Sequence, residues 1–388
     1  AHMFTFVSAI AAHACTVDED CNLNGRCTSQ GCRCLAAWRG PSCGELSVLP
    51  AARSAGLHAS DSNTSSWGGA VTLDAQRGGY QMFAAEMVGG CGINAWETNS
   101  RIVRATAASL NEAFKVEEVI KPAFAHEPTL TRLPNGTWLL FSIGNRSSSP
   151  PPRTDCARGY TPSRGGGRFS GFVPVEAASS SSLAGPWTLR ATIGNGDFNP
   201  SPLVLPNGTT LLMWRHLARV HMVRAPSYRG PFAFNGSDGA CPNATSTDPG
   251  CRWWHLFNST VDARGLEDPF VYTQPDGSDA GAPPQHTYHA LFHDHVSFGG
   301  HAFSRDGVSW TYSDTPPYGN LLEFADGTST RLQRRERPHL VFDAQGYIAA
   351  LTTSAQPPPT AAKAPPAGFS NDYSFTSVQP VTPQPLHV

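Results

Sequence analysis

Charged side chains are scarce in this sequence, at 15% of residues, and no block of Lys or Arg occurs anywhere in it. The 28 basic and 30 acidic residues are spread along the chain and leave a formal net charge of -2. Nucleic acid or an anionic membrane surface needs a concentrated basic face, so neither is expected as the main partner. Long apolar runs are missing too: none approaches the roughly 18 residues that a membrane-spanning helix requires. What is plentiful is Gly, with 37 residues, and Pro, with 33. Few charges and many chain-turning residues suit short strands joined by tight turns better than long helices. With 388 residues, 40% of them apolar, the chain can bury a sizeable core.

Cysteine is unevenly placed. Six of the ten lie within the first 43 residues: Cys15, Cys21, Cys27, Cys32, Cys34 and Cys43, in the pattern C-x5-C-x5-C-x4-C-x-C-x8-C. The stretch CLAAWRGPSC sets an aromatic and a Gly where an EGF-like module turns its final hairpin, and residues 15–45 resemble such a module. The resemblance implies the pairs Cys15–Cys27, Cys21–Cys32 and Cys34–Cys43. A unit this short cannot build a sufficient core, so covalent loop closure substitutes for one. Thiolates at short spacing also bind zinc, but a C-x-C with three disulfide-length loops and no companion His disfavours it. Cys91, Cys156, Cys241 and Cys251 allow three connectivities. Cys241 and Cys251 are close enough to staple one loop, which leaves Cys91 for Cys156. Sequons at Asn63, Asn135, Asn145, Asn207, Asn235, Asn243 and Asn258, beside paired cysteines, point to the eukaryotic secretory pathway and a secreted glycoprotein. Ala1-His2-Met3 reads as a cloning remnant, and Phe4 to Ala12 as either the tail of a leader or a first strand.

Beyond about residue 60 the chain repeats a unit. HEPTLTRLPNGTWLLFSIG starts at His126, NPSPLVLPNGTTLLMWRH at Asn199, and LEDPFVYTQPDG runs on to YHALFHDH from Leu266. ERPHLVFDAQGYIAALTTS starts at Glu336, and a less regular copy, SWGGAVTLDAQRGGYQMFAAEM, includes Trp67. Each is an apolar strand, a turn of Asn, Asp or Gly, and a second apolar strand. A further strand pair follows in most copies, as in VEAASSSSLAGPWTLR, VRAPSYRGPFAF and HAFSRDGVSWTYS. Four strands repeated five times predict an all-β, five-bladed β-propeller over residues 55–388. A β-sandwich or a Kelch array is the alternative. A period of about 65 to 75 residues exceeds the Kelch repeat of roughly 50, and no Gly-Gly doublet recurs in register.

In a propeller the start of each innermost strand and the end of the next face one mouth. That mouth is expected to collect Glu127, Asn199, Glu267, Asp268, Glu336 and Arg337 from strand starts. Strand ends add Trp214, Arg215, His216, His293, Asp294 and His295, and the first copy adds Trp67 and Glu86. Three copies carry a carboxylate one or two places before Pro, which biases its backbone towards extended geometry. Acids crowded into a funnel repel one another and at least one pKa should rise, as glycoside hydrolysis requires. Glu267 is expected to point away from the channel because its neighbour Asp268 points in. The His-x-His spacing also suits a metal, though hydrogen bonding to sugar at the rim is the preferred reading. SRDGVSW is taken as a hairpin turn, since it lacks a residue of the sialidase Asp-box and no arginine triad accompanies it.

The order HEP, NPSP, EDP, ERPH resembles the family-43 glycoside hydrolases and related furanosidase-type propellers, loosely over residues 60–385 and closely at the strand starts. The resemblance implies Glu127 as general base, Asp268 as the acid that tunes pKa and orientation, and Glu336 as general acid. It also implies an inverting attack on a plant- or algal-type glycan of the arabinan, xylan or galactan class. Two features depart from it. The base position holds Glu rather than Asp, and an extra copy precedes the HEP copy, which would complete the ring from a shifted start. Trp67, Glu86, Asn199, Trp214, Arg215, His216, Glu267, His293, His295 and Arg337 are then expected to bind substrate. No cofactor is required, and a structural calcium in the channel is allowed for. A monomer is expected, and a lectin-like propeller or an extracellular interaction protein would use the same fold without turnover.

Overall fold

The computed structural model of the chain describes residues 15–60, 64–144, 151, 152, 154, 156, 174–195, 199–216, 219–232, 253–275, 286–358 and 372–385. Residues 1–14, the Cys241–Cys251 loop and the sequons at Asn63, Asn145, Asn235 and Asn243 lie outside the described residues.

Among the described residues, five four-stranded antiparallel sheets follow one another as the blades of a propeller. Blade I consists of Ser66–Leu73, Tyr80–Met87, Ser100–Ala107 and Lys115–Lys121. Blade II consists of His126–Arg132, Trp138–Ile143, Pro174–Ser180 and Thr188–Asn195. Ser201–Val204, Thr210–His216, Arg219–Ala225 and Trp253–His255 build blade III. Glu267–Pro275, His286–Asp294, Phe298–Ser304 and Thr311–Tyr312 build blade IV. Blade V takes Arg334–Phe342, Ile348–Gln356 and Phe375–Pro380, and its outer strand is Gly56–Leu57.

The repeated turn explains the repeated hairpin. In blade II the Asn135 side chain accepts from the Thr137 N–H at 3.0 Å while Gly136 takes φ 86°. Blade III repeats this with Asn207, Thr209 and Gly208 at φ 87°. An Asx side chain closing its own turn beside a left-handed Gly brings the flanking apolar runs into register. SRDGVSW is likewise a turn, with Asp306 accepting from the N–H groups of Val308 and Ser309.

Two details differ from the sequence expectation. The outer strand of blade III is Trp253–His255, paired with His221–Val223, and Pro231 and Phe232, the described half of the PFAF segment, are in no strand. Pro231 has no N–H to give a ladder, which disfavours a strand there. Blade I, the extra copy, completes the ring of five as expected, but the segment that closes the ring is not marked in the sequence. The ring is closed in blade V, where Gly56 and Leu57 pair with Ser377 and Thr376. Strands from distant parts of the sequence thus share one sheet, so ring closure is enforced by main-chain hydrogen bonds.

The blades meet through apolar side chains that alternate off each sheet face. Phe141, Leu212, Trp214 and Val223 fill the seam between blades II and III. Met213, Met222, Trp254, Val271, Ala290 and Phe292 fill the seam between III and IV. Burying each large side chain contributes about 1.5–3 kcal/mol, so these seams dominate the stability.

The N-terminal segment carries the disulfides Cys15–Cys27, Cys21–Cys32 and Cys34–Cys43. A fourth bridge joins Cys91 to Cys156. The disulfide-rich module lies against blades IV and V: Cys21, Trp38, Cys43 and Leu46 share a core cluster with Tyr272, Leu291, Tyr318 and Leu351. Its polar seam is buried. Gln274 donates to the Asn24 side chain at 2.8 Å, and the Trp38 ring lies 5.1 Å from that of His301. His301 in turn meets His289, Nε2 to Nδ1, at 3.1 Å. Burial holds His301 down at about 3 from its ordinary 6.5 and pushes His289 well below the usual range.

Both imidazoles are therefore neutral in the folded protein at pH 5 but protonated once unfolded. Between pH 6.5 and about 3 the unfolded chain binds more protons, so stability is lost as pH falls through that window. Each such group contributes a slope of up to about 1.4 kcal/mol per pH unit. Urea titrations at pH 7, 6 and 5 check this. His301→Gln should flatten the dependence by up to one proton, and an unchanged slope would assign the effect elsewhere.

Candidate active site

Four of the five inner strands begin with the same irregularity. Register jumps between Trp67 and Ala70, His126 and Thr129, Glu267 and Phe270, and Glu336 and His339. Inside each jump one residue is left-handed: Gly68 at φ 68°, Glu127 at 55°, Asp268 at 52° and Arg337 at 54°. Such a bulge bends its strand and re-aims a side chain, and for a non-Gly residue it costs about 1–3 kcal/mol. The strain recurs at one structural position. In the three non-Gly cases the residue turned inward is the one immediately before Pro, left-handed and not extended as the proline suggests, and the residue before that stays in the ladder.

This separates two tiers that the sequence motifs had merged. The inner tier is Glu127, Asp268 and Arg337, with Asn199 entering from blade III. Asn199 Nδ2 donates to Glu127 Oε1 at 2.9 Å and also to Asp268 Oδ1. The Arg337 guanidinium lies 3.3 Å from Asp268 Oδ1 and 3.5 Å from Glu127 Oε2. The Arg337 backbone N–H donates to Asp268 Oδ2 at 3.2 Å. Gly68 lies against Arg337, a Cβ built there standing 3.4 Å from its Nε, and its φ of 68° is one that a side chain rarely adopts. All four polar side chains are buried, Arg337 to 3% exposure. Burial pushes the Asp268 carboxyl above its ordinary range; Arg337 opposes this, and Glu267 and Glu336 reinforce it.

The second tier holds Glu336 and Glu267. Arg334 grips Glu336 with a fork, Nε to Oε1 at 2.7 Å and NH2 to Oε2 at 2.9 Å. Arg334 lies two residues earlier on the same strand, hence on the same face. Its guanidinium is stacked 4.7 Å over the Trp67 ring. Donor atoms of Asp268, His293 and Glu336 all lie within 4.8 Å of one another, which ties the two tiers together. Glu267 meets Arg215 at 2.9 Å, His295 at 3.4 Å and His293 at 3.7 Å. Burial alone would raise its pKa, but His293, Arg215 and His295 together lower it to about 2. Burial disfavours a proton on His293, yet Glu267, Glu336 and Asp268 reverse that and raise its pKa.

Glu127, Asn199, Asp268, Glu336, Arg337, Glu267, Arg215, His293 and His295 are thus brought into one connected cluster. Glu267 does turn from the inner ring, as strand alternation implies, yet it stays at the same mouth. Other expected residues serve elsewhere. Trp67 is buried against Met87, Ile93 and the Cys91–Cys156 bridge, with Arg334 over its face. Glu86 is held by His58 at 2.8 Å and Arg101 at 2.7 Å. Trp214, 1% exposed, lies in the seam between blades II and III, where no sugar can stack on it. Asp294 is fully buried and closes a turn through Arg264, Tyr312, Ser297 and the Val296 N–H. The backbone of His216 ends its strand at the same mouth.

Sequence reasoning missed Arg334 and Gly68. Period-two alternation from Glu336 would have placed Arg334 beside it. The Gly68 role has no local signal, because it depends on a side chain from blade V. A cavity of about 330 Å³ is lined by inner-strand residues such as Thr72, Thr129, Thr131, Tyr272, Thr273 and His339.

No family model matches the sequence, and no curated protein matches it. Among solved structures the chain is similar to a xylan β-1,4-xylosidase from Bacillus halodurans, with TM-score 0.50 and 11% identity over 82% of this chain and 53% of that chain. It is also similar to a family-43 glycoside hydrolase from Bacillus licheniformis, with TM-score 0.48 and 13% identity over 82% and 53%. A family-117 glycoside hydrolase from Zobellia galactanivorans gives TM-score 0.47 and 14% identity over 84% and 87%. The chain spans about half the length of the first two. At this identity the likeness concerns the fold, a five-bladed propeller.

Proposed function

We propose that this chain is a secreted glycoside hydrolase that cleaves a plant- or algal-type glycan of the arabinan, xylan or galactan class by single displacement. One observation carries the reading: carboxylates from three different blades meet in a single buried cluster at one mouth of the propeller. Glu127 and Asp268 share Asn199 and Arg337 as partners, and Glu336 closes on Asp268 through His293. In the proposed reaction Glu127 takes a proton from the attacking water. Glu336 delivers one to the leaving glycosidic oxygen, and the C–O bond breaks as the new one forms. Asp268, held beside Arg337, orients the pair. The disulfides and sequons support an extracellular location. Among the described residues no helix is long and apolar enough to cross a membrane.

A binding-only propeller is favoured by a second observation. Each of the three acids lies within ion-pair distance of an arginine, Glu336 through a two-pronged fork. Where the resembling motif has Gly, this chain has Arg337. The Arg334 fork occupies one lone pair on each Glu336 oxygen, the arrangement of a carboxylate held as an anion partner. Reducing-sugar release from arabinan, xylan and β-galactan, read beside a glycan array, separates the two. Release of sugar supports hydrolysis. Saturable glycan binding with no release on any of these substrates assigns a lectin.

A further inference from the structure

We propose that Glu267, His293 and His295 form a binding site for one divalent transition-metal ion of the zinc type at the rim of the funnel. Glu267 opens the inner strand of blade IV, and His293 sits directly opposite it in the ladder. His295 follows two residues later, so both imidazoles reach the same side of the strand end. Glu267 Oε2 lies 3.4 Å from His295 Nε2 and 3.7 Å from His293 Nδ1. The three donor atoms all fall within 4.8 Å of one another. Tetrahedral zinc with bonds of about 2.0–2.1 Å sets neighbouring ligand atoms about 3.3–3.4 Å apart. The two contacts to Oε2 are therefore already near that spacing, and small side-chain rotations complete the triangle.

The nitrogen that would bind is the second observation. The His293 side chain is 8% exposed, and its Nδ1 has no hydrogen-bond partner among the described residues although it faces Glu267. A buried ring nitrogen left without a hydrogen bond is costly, and a metal ion that takes the place of any proton on it satisfies it. The remaining contacts suit that role. Arg215 occupies Glu267 Oε1 at 2.9 Å, which leaves Oε2 for the ion. His293 Nε2 faces Glu336 Oε1 at 4.0 Å, so a slightly closer approach gives the carboxylate–histidine–metal arrangement that fixes tautomer and ring orientation. His295 is 53% exposed, so an ion can reach the site from solvent. Three protein ligands leave the fourth position of a tetrahedron for water or a ligand hydroxyl.

The test reads metal and not turnover, so it stands whether or not the chain hydrolyses glycans. Chelator-treated full-length protein, kept non-reduced, is titrated with ZnCl2 by calorimetry and with CoCl2 by visible absorption. One ion per chain is expected, with Co2+ bands of four- or five-coordinate intensity. His295→Ala and Glu267→Gln should each weaken uptake by about 100-fold. His295 is half exposed, so that variant keeps the fold, which circular dichroism verifies. Absence of saturable uptake up to about 100 μM ion, or unchanged affinity in both variants, overturns the site.

Discussion

Glu127→Gln and Glu336→Gln should each lower kcat by about 10²–10⁴-fold while leaving glycan affinity within a few-fold of wild type. The replacement is isosteric and keeps an acceptor oxygen, so Asn199 can still donate to residue 127 and Arg334 to residue 336. What is lost is the capacity to take or give a proton. The two losses should differ in one respect. A substrate with a good leaving group, such as an aryl glycoside, needs little protonation, so it should restore Glu336→Gln and not Glu127→Gln. Initial rates on aryl and natural glycosides, with calorimetric binding of the glycan, measure both. Wild-type activity in either variant would remove that residue from the mechanism, and activity in both would leave a binding protein.

Arg337→Ala should destabilise the fold by about 3–5 kcal/mol, a large part of the roughly 5–15 kcal/mol that holds a domain together. Arg337 is 3% exposed and lies between the carboxylates of Asp268 and Glu127. Its removal leaves two buried negative charges near each other, with Asn199 still donating to both and the backbone N–H of residue 337 still donating to Asp268. Breaking one side of a buried pair costs more than the pair is worth, because the partner keeps its desolvation penalty. Adding Asp268→Asn to Arg337→Ala should recover part of the loss, since it deletes one of the stranded charges. Denaturant unfolding of the two single variants and the double variant gives the coupling. A loss within about 0.5 kcal/mol for Arg337→Ala, as for an ordinary surface change, would mean that water screens this ring and that it is not a closed buried network.

Much of this architecture was legible in advance because it is written in local patterns. The turn at Leu133–Thr137 and its counterpart at Leu205–Thr209 repeat in sequence and in hydrogen bonding. The cysteine spacing of residues 15–43 corresponds to the bridges Cys15–Cys27, Cys21–Cys32 and Cys34–Cys43, each closing a loop of a dozen residues or fewer. The acids before Pro marked the strand starts, and most of the residues expected at the mouth meet there. Trp214 and Glu86 were misplaced for a common reason. Position at a strand end was taken to mean exposure at the mouth, whereas a side chain's face also depends on the neighbouring blade and loops.

The sequence by itself determined the repeated strand–turn unit and the supply of acids at strand starts, because each is fixed by contacts between residues close along the chain, while the short-range disulfide pairs followed from the resemblance to an EGF-like module. Tertiary structure alone decided that Arg337, and not Glu336, shares a ring with Glu127 and Asp268. It also decided that Asn199 binds acids 72 and 69 residues away, and that Gly56–Leu57 closes the fifth blade. A bulge shifts the facing of a strand by one residue without changing its composition. Contacts between blades join segments that no periodicity relates, so they become visible only when the ring has closed.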